Sequence, residues 1–82
     1  MNSWHVYILL CCDGTLYTGI TNDLDKRVKA HNEGHGARYT RTRRPVDLVY
    51  RETAESRSAA TVREAVIKRM SRKRKLEMIA GG

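Results

Sequence analysis

The chain has no phenylalanine and a single tryptophan, yet 40% of its residues are hydrophobic. That is enough for one core and too much for a disordered chain. No apolar run approaches the roughly 18 residues that would suggest a membrane-spanning helix. The N-terminus lacks a basic region followed by an apolar stretch and a small-residue cleavage site, so no signal peptide is expected and the reading is cytoplasmic. Cysteine occurs only as the adjacent pair Cys11 and Cys12. Neighbouring strand residues point apart, so a mutual disulfide is not expected, and two ligands at this spacing do not make a structural zinc site. No internal repeat is present. With 82 residues, the whole span 1–82 reads as one small domain, which buries only ~60% of its unfolded surface.

Acid is also scarce, and unevenly so. Lys and Arg number 16 against 9 Asp and Glu, a net charge of +7. Residues 1–33 hold three basic and four acidic side chains, whereas residues 34–82 hold thirteen and five. A one-sided basic surface is an electrostatic footprint for a polyanion, most simply nucleic acid. A membrane surface fits less well, because no basic helix carries a broad apolar face with aromatic anchors.

What is present begins with two short runs rich in β-branched, aromatic and apolar residues, Trp4 to Leu10 and Thr15 to Ile20. Cys12-Asp13-Gly14 between them is a turn signal, so the pair reads as a β-hairpin. A two-residue turn at Asp13-Gly14 would set Tyr17 opposite Leu10 and leave Tyr7 and Tyr17 on opposite faces. A three-residue loop with Gly14 in the left-handed position would pair Cys11 with Thr15, Leu9 with Tyr17 and Tyr7 with Gly19. Both tyrosines then share a face, and Gly19 leaves a gap opposite Tyr7. The three-residue loop is favoured because it explains the glycine.

A helix follows from Asp23 to about Glu33, with Asn22 as the expected cap, Asp25 three residues later and Gly34 as the stop. Leu24, Arg27, Val28 and His31 share one stripe. Leu24 and Val28 turn that stripe toward the core, which puts Arg27 and His31 at its edge. The segment from Gly34 to Pro45 has four arginines, one tyrosine and no acid. It reads as a loop, either solvated or a backbone-gripping arm in which Arg38, Arg41, Arg43 and Arg44 contact phosphates and Tyr39 stacks on a base. Val46 to Glu52 alternates as a third strand. Ser56 caps a helix through about Met70, with Ala59, Val62, Val66 and Met70 as its core stripe, widened by Ala60 and Ile67 and bordered by Glu64. A third helix from Ser71 carries Leu76, Met78 and Ile79, and Gly81-Gly82 reads as a frayed tail. Lys68 to Lys75 holds six basic residues in eight, among them Lys68, Arg72 and Lys73. The order β-β-α-β-α-α predicts an α+β domain with a small three-stranded antiparallel sheet flanked by helices.

The chemistry-bearing residues fall at or beside inward surfaces. A carboxylate such as Glu64 can hold a divalent cation, Mg²⁺ or Mn²⁺, through oxygen. An arginine such as Arg27 offers a fixed fork of donors to a phosphate. Tyr7, Tyr17 or His31 can move a proton at an attacking water. Those are the parts that phosphodiester cleavage needs.

The arrangement resembles the GIY-YIG nuclease family. The tripeptides are His5-Val6-Tyr7 and Tyr17-Thr18-Gly19, the helix arginine is Arg27 and the later glutamate is Glu64. The runs Tyr17 to Leu24, Gly36 to Thr40 and Arg44-Pro45 look like the small stand-alone branch of that family. The resemblance implies a metal-dependent endonuclease using one cation. Glu64 would ligate the metal, Tyr7 would be the general base or orient the water, Tyr17 and Arg27 would bind or polarise the phosphate, and His31 would share proton handling. The first tripeptide keeps only its tyrosine, and no asparagine follows Asn32, where many family nucleases carry a late one. The expected substrate is nucleic acid, DNA before RNA, recognised by shape or backbone rather than by base sequence. The alternative is a nuclease fold that holds nucleic acid without cutting it.

Overall fold

The computed structural model describes residues 3–81. Its elements run β1 (Trp4–Cys11), β2 (Leu16–Thr21), α1 (Leu24–Asn32), α2 (Arg38–Arg41), β3 (Val46–Ala54), α3 (Arg57–Lys68) and α4 (Arg72–Gly81). The strands form one antiparallel sheet in the order β2-β1-β3, the α+β arrangement expected. Because β1 is central, both of its faces are buried, and it reads as a continuous apolar run. Val6 and Ile8 pack with Ala60 and Ile67 of α3. Tyr7, Leu9 and Cys11 pack on the other face with Leu24 of α1 and Val46.

The hairpin loop has three residues. The Cys11 amide donates to the Thr15 carbonyl at 2.9 Å and the Gly14 amide to the Cys11 carbonyl at 2.9 Å. Gly14 has a φ of 85°, a conformation that costs glycine little and other residues more. Asp13 Oδ1 accepts from the Thr15 amide at 3.1 Å and the Thr15 hydroxyl at 2.6 Å. The resulting register places Tyr7 opposite Gly19 and Leu9 opposite Tyr17.

Three local expectations change. The cap of α1 is Asp23 rather than Asn22: Asp23 is extended and its side chain accepts from the Lys26 amide at 3.2 Å. Its own amide donates to Thr21 Oγ1 at 3.1 Å, which holds the chain extended one residue longer. The arginine-rich segment is not a plain loop but contains the single turn α2, too short to leave a periodic pattern in sequence. The amide of Asn32 clasps the start of β3, donating to the Val46 carbonyl at 3.1 Å and accepting from its amide at 2.8 Å. That clasp closes the segment from Asn32 to Val46 into a compact excursion.

The third change concerns α3. Ser56 caps it as expected, accepting from the Ala59 amide at 3.0 Å. Its inward stripe, however, is centred on Ala60 and Ile67, both 0% exposed, while Val62 is 65% and Val66 45% exposed. Ala59 is exposed as well. Two contacts account for the rotation. The small Ala60 lets the helix approach the sheet closely, and Arg63 Nε pairs with Glu52 Oε2 of β3 at 2.8 Å. Glu52 is held in turn by the Tyr50 hydroxyl at 2.6 Å. The stripe of residues 60, 63, 64 and 67 therefore faces the sheet, which carries Glu64 inward. Met78 and Ile79 of α4 pack on the same core, whereas Leu76 is exposed. Gly81 closes α4, and Gly82 lies outside the described residues.

Ile67→Ala is expected to cost about 2–5 kcal/mol, as a cavity in a packed core does. Val62→Ala is expected to stay within about 0.5 kcal/mol, as for a surface substitution. Urea unfolding of the two variants beside the parent checks this; the reverse ranking would restore the stripe read from sequence.

Candidate functional site

Tyr7 leaves the middle of β1 and lies over Gly19 of the edge strand. A Cβ at Gly19 would come within 2.5 Å of the Tyr7 hydroxyl oxygen, so the glycine is the space through which the phenol reaches. Tyr17 stands on the same face, opposite Leu9. Both rings meet His31 edge-on, with centroids 5.9 Å from Tyr7 and 5.3 Å from Tyr17.

His31 is not at the edge of the α1 stripe, as its sequence position suggested. It is 0% exposed. Burial of an imidazole is tolerated when its polar atoms find partners, and both nitrogens do. Nε2 lies 2.9 Å from the Tyr7 hydroxyl, and Nδ1 lies 2.7 Å from Thr40 Oγ1 of α2. Gly36 passes across the ring so closely that a Cβ there would overlap Nδ1. Thr40 and Gly36 are the positions that single-residue reading missed. Their only signal was the run Gly36 to Thr40, because a close approach and a one-turn helix leave no periodicity.

Burial lowers the His31 pKa to about 4, and the nearby Arg27 charge pushes it the same way. Burial raises the Tyr7 pKa; Arg27 offsets part of this, while Tyr17 and Glu64 add upward pushes. Both members of the pair are therefore neutral near neutral pH. Arg27 itself is half-buried and lines a cleft with Trp4, Ile20, Thr21, Asn22 and Arg57. Among the described residues it has no carboxylate within ion-pairing distance.

Glu64 comes from α3, on the opposite side of the sheet from α1. Its side chain is half-buried, and its ion pair is with Lys68 one turn along, at 3.4 Å. Its charge nevertheless acts on Tyr7. The structure thus gathers Tyr7, Tyr17, Gly19 and His31 on the α1 face of the sheet with Arg27 on that helix, while Glu64 approaches from α3 across the sheet.

The basic segments divide differently. Arg43 Nε pairs with Asp13 Oδ2 at 2.9 Å, and Arg43 Nη1 donates to the Tyr39 carbonyl at 2.9 Å. Arg44 donates to the carbonyls of Arg41 at 2.9 Å and Asn32 at 3.3 Å. Tyr39 stacks on Tyr17 at 5.9 Å, and the Arg43 guanidinium covers its ring at 4.0 Å. Tyr39 is thus held by two protein groups while remaining 38% exposed. Arg38 and Arg41 are exposed and carry no ion pair among the described residues. Arg72 and Lys73 are exposed at the start of α4, while Lys68 is held by Glu64. A separate open cleft of about 560 Å³ lies between Asn32, Arg41, Thr42, Arg44 and Pro45.

A Mg²⁺-type cation takes oxygen ligands, keeps several waters and is commonly held by one or two carboxylates plus a substrate phosphate. Glu64 supplies one such carboxylate at the site. No cluster of three or more His, Cys, Asp or Glu able to hold a metal occurs among the described residues. The donor set fits a cation shared between Glu64, water and a bound phosphate, and it does not fit a closed zinc cage.

Comparison with known proteins agrees with this architecture. The profile described as the GIY-YIG catalytic domain matches residues 3–77. The chain is 49% identical to a UPF0213 protein of Staphylococcus saprophyticus over 82 residues, all of both chains. It is 55% identical to a UPF0213 protein of Desulfotalea psychrophila over 78 residues, covering 94% of this chain and 71% of that one. The solution structure of a UPF0213 protein from Bacillus halodurans superimposes with a TM-score of 0.60 at 44% identity, covering 98% of this chain and 84% of the other. A solution structure from E. faecalis gives 0.67 at 42%, covering 99% and 86%. The fold and the matched family define a nuclease-type catalytic domain. The chain belongs to the GIY-YIG family, and its full-length similarity is to the small UPF0213 proteins. No helix among the described residues is long and apolar enough to cross a membrane.

The buried neutral histidine makes stability depend on pH. A His pKa of about 6.5 unfolded and about 4 folded means that the unfolded chain binds more protons between those values. Stability is complete above about pH 6.5 and falls as pH drops toward 4, by about 2 kcal/mol between pH 7 and pH 5. Urea unfolding at both pH values checks this, with His31→Gln expected to flatten the dependence whatever its own stability.

Proposed function

We propose that the protein is a metal-dependent endonuclease that hydrolyses phosphodiester bonds in nucleic acid, DNA in the first instance. The observation that carries the reading is the Tyr7 hydroxyl bonded to His31 beside Arg27, which has no carboxylate partner among the described residues, with the Glu64 charge acting on Tyr7. The scissile phosphate would sit against Arg27 and Tyr17. A guanidinium presents two parallel donors to phosphate oxygens and retains its charge at any working pH. A divalent cation held through Glu64 would supply charge stabilisation to the phosphate and leaving oxygen. Tyr7 orients the attacking water and takes its proton as its own hydroxyl proton passes to His31 Nε2 across their bond. Burial keeps the phenol protonated in the free protein, and the positive charge of a bound divalent cation would favour its loss of the proton.

Arg38, Arg41, Arg72 and Lys73, exposed and without an ion pair among the described residues, would contact backbone phosphates flanking the site. Arg43 is engaged by Asp13 and the Tyr39 carbonyl, and Arg44 by the carbonyls of Arg41 and Asn32, so both serve mainly to shape the segment around α2. Backbone contacts position nucleic acid without reading its sequence, so selectivity would follow the shape of the substrate.

Glu64→Ala and Tyr7→Phe are each expected to lower Mg²⁺- or Mn²⁺-dependent cleavage by at least ~100-fold, the usual scale for a positioned acid–base group. Binding would be retained in both. The assay uses labelled single-stranded, duplex and branched DNA, and RNA, with EDTA as control. Cleavage surviving in Glu64→Ala would reject the site. Salt-sensitive binding without cutting under any metal would assign the fold to holding nucleic acid instead.

A further inference from the structure

Behind the Tyr7–His31 contact lies a second one with no part in the reading above. Thr40 Oγ1 is 2.7 Å from His31 Nδ1. It is also 3.1 Å from the Ala37 carbonyl and 3.3 Å from the Ala37 amide. Thr40 is 0% exposed, so no water competes for these bonds. A threonine hydroxyl has one proton and two lone pairs. If Nδ1 carries the imidazole proton, Oγ1 accepts from Nδ1 and from the Ala37 amide and gives its own proton to the Ala37 carbonyl. All three contacts are then hydrogen bonds. If Nδ1 is bare, the hydroxyl proton must go to it, and the contact with the Ala37 carbonyl has none. The fuller count belongs to the Nδ1–H form, which leaves Nε2 as an acceptor facing the Tyr7 hydroxyl.

Local structure is built for this contact. Thr40 is the third residue of α2, and its side chain bonds back to Ala37, which precedes that turn. The bond fixes the rotamer of Thr40. Gly36 has no side chain where one would overlap the imidazole, so residues 36–40 can close over it.

We infer that Thr40 is a positioning residue that holds His31 as the Nδ1–H tautomer, so that its bare Nε2 accepts the Tyr7 proton. The catalytic consequence rests on the proposed cleavage reaction; the tautomer does not. Without Thr40 the buried imidazole would turn its proton toward Tyr7, and the phenol would lose its acceptor.

The test is a long-range ¹H–¹⁵N correlation of the histidine rings near neutral pH in uniformly labelled protein. The parent chain is expected to give a protonated Nδ1 and a bare Nε2 for His31. Thr40→Ser, which keeps the hydroxyl, is expected to retain that pattern, and Thr40→Val to shift the proton to Nε2. In the cleavage assay Thr40→Val would fall about 10–100-fold, the scale on which a ligand's supporting partner matters, with Thr40→Ser restoring most of it. A bare Nδ1 in the parent chain overturns the inference and needs no variant to fold. So does an unchanged tautomer in folded Thr40→Val. Absence of cleavage by a parent chain with the Nδ1–H pattern supports the role of Thr40 and removes only the nuclease reading.

Discussion

The register of β1 against β2 is the constraint on which the rest of the structure depends. One loop sets it. Gly14 takes a left-handed conformation, Cys11 pairs with Thr15, and Tyr7 falls opposite Gly19. A slip of one residue would move each side chain of β2 to the other face. Tyr7 would lose the opening above Gly19, and Tyr17 would leave His31. The loop is itself braced, because Asp13 is bonded to Thr15 within the turn and to Arg43 beyond α2. Arg43 then covers Tyr39, which stacks on Tyr17. The turn that sets the register is thus tied by a short chain of contacts back to a tyrosine of the site.

The region divides its polar groups by solvent access. In the dry part, His31 and Thr40 are wholly buried, Tyr7 is nearly so, and their bonds run from one to the next. A buried polar group without a partner costs more than a bond made elsewhere returns, so this set is stable only as a unit. The charged groups, Arg27 and Glu64, stay half-exposed, where their hydration is largely kept. That division keeps the proton-handling pair neutral and leaves the two charges accessible to an anion and a cation. Rotation of α3 is the second requirement. The Arg63–Glu52 pair and the small Ala60 turn Glu64 toward the sheet, although the apolar pattern of the helix alone pointed another way.

The parts visible in the sequence were those with a local cause. Glycines 14 and 19 implied the loop and the register, and the alternation of apolar residues implied the three strands. Ser56 marked the start of α3. The apolar pattern puts Glu64 on the Ala60 and Ile67 side of the α3 stripe, and that is the side facing the sheet, whereas Val62 and Val66 belong to the solvent side. Apolar spacing cannot reveal that an arginine will pair across to β3, and that pairing decides the rotation. Leu24 and Val28 turn the α1 stripe toward the core and, read alone, put His31 only at its edge. The burial of His31 depends on Thr40, nine residues away, and on a turn too short to register as a helix. Four arginines in a row of polar residues suggested an arm free to grip phosphate. Two of them are instead bonded to carbonyls and to Asp13, contacts that exist only once α2 and the hairpin are folded together.

The central claim is that Glu64, Tyr7 and Arg27 form a single site able to share a divalent cation with a phosphate. Paramagnetic relaxation by Mn²⁺ in isotope-labelled protein tests it most directly, because it reads position rather than turnover. Substoichiometric Mn²⁺ should broaden amide signals around Glu64 and along β1 and β2 near Tyr7 and Gly19, with Mg²⁺ in excess restoring them. Broadening centred instead on Asp13, Asp47 or Glu55, or spread evenly over the surface, would contradict the account.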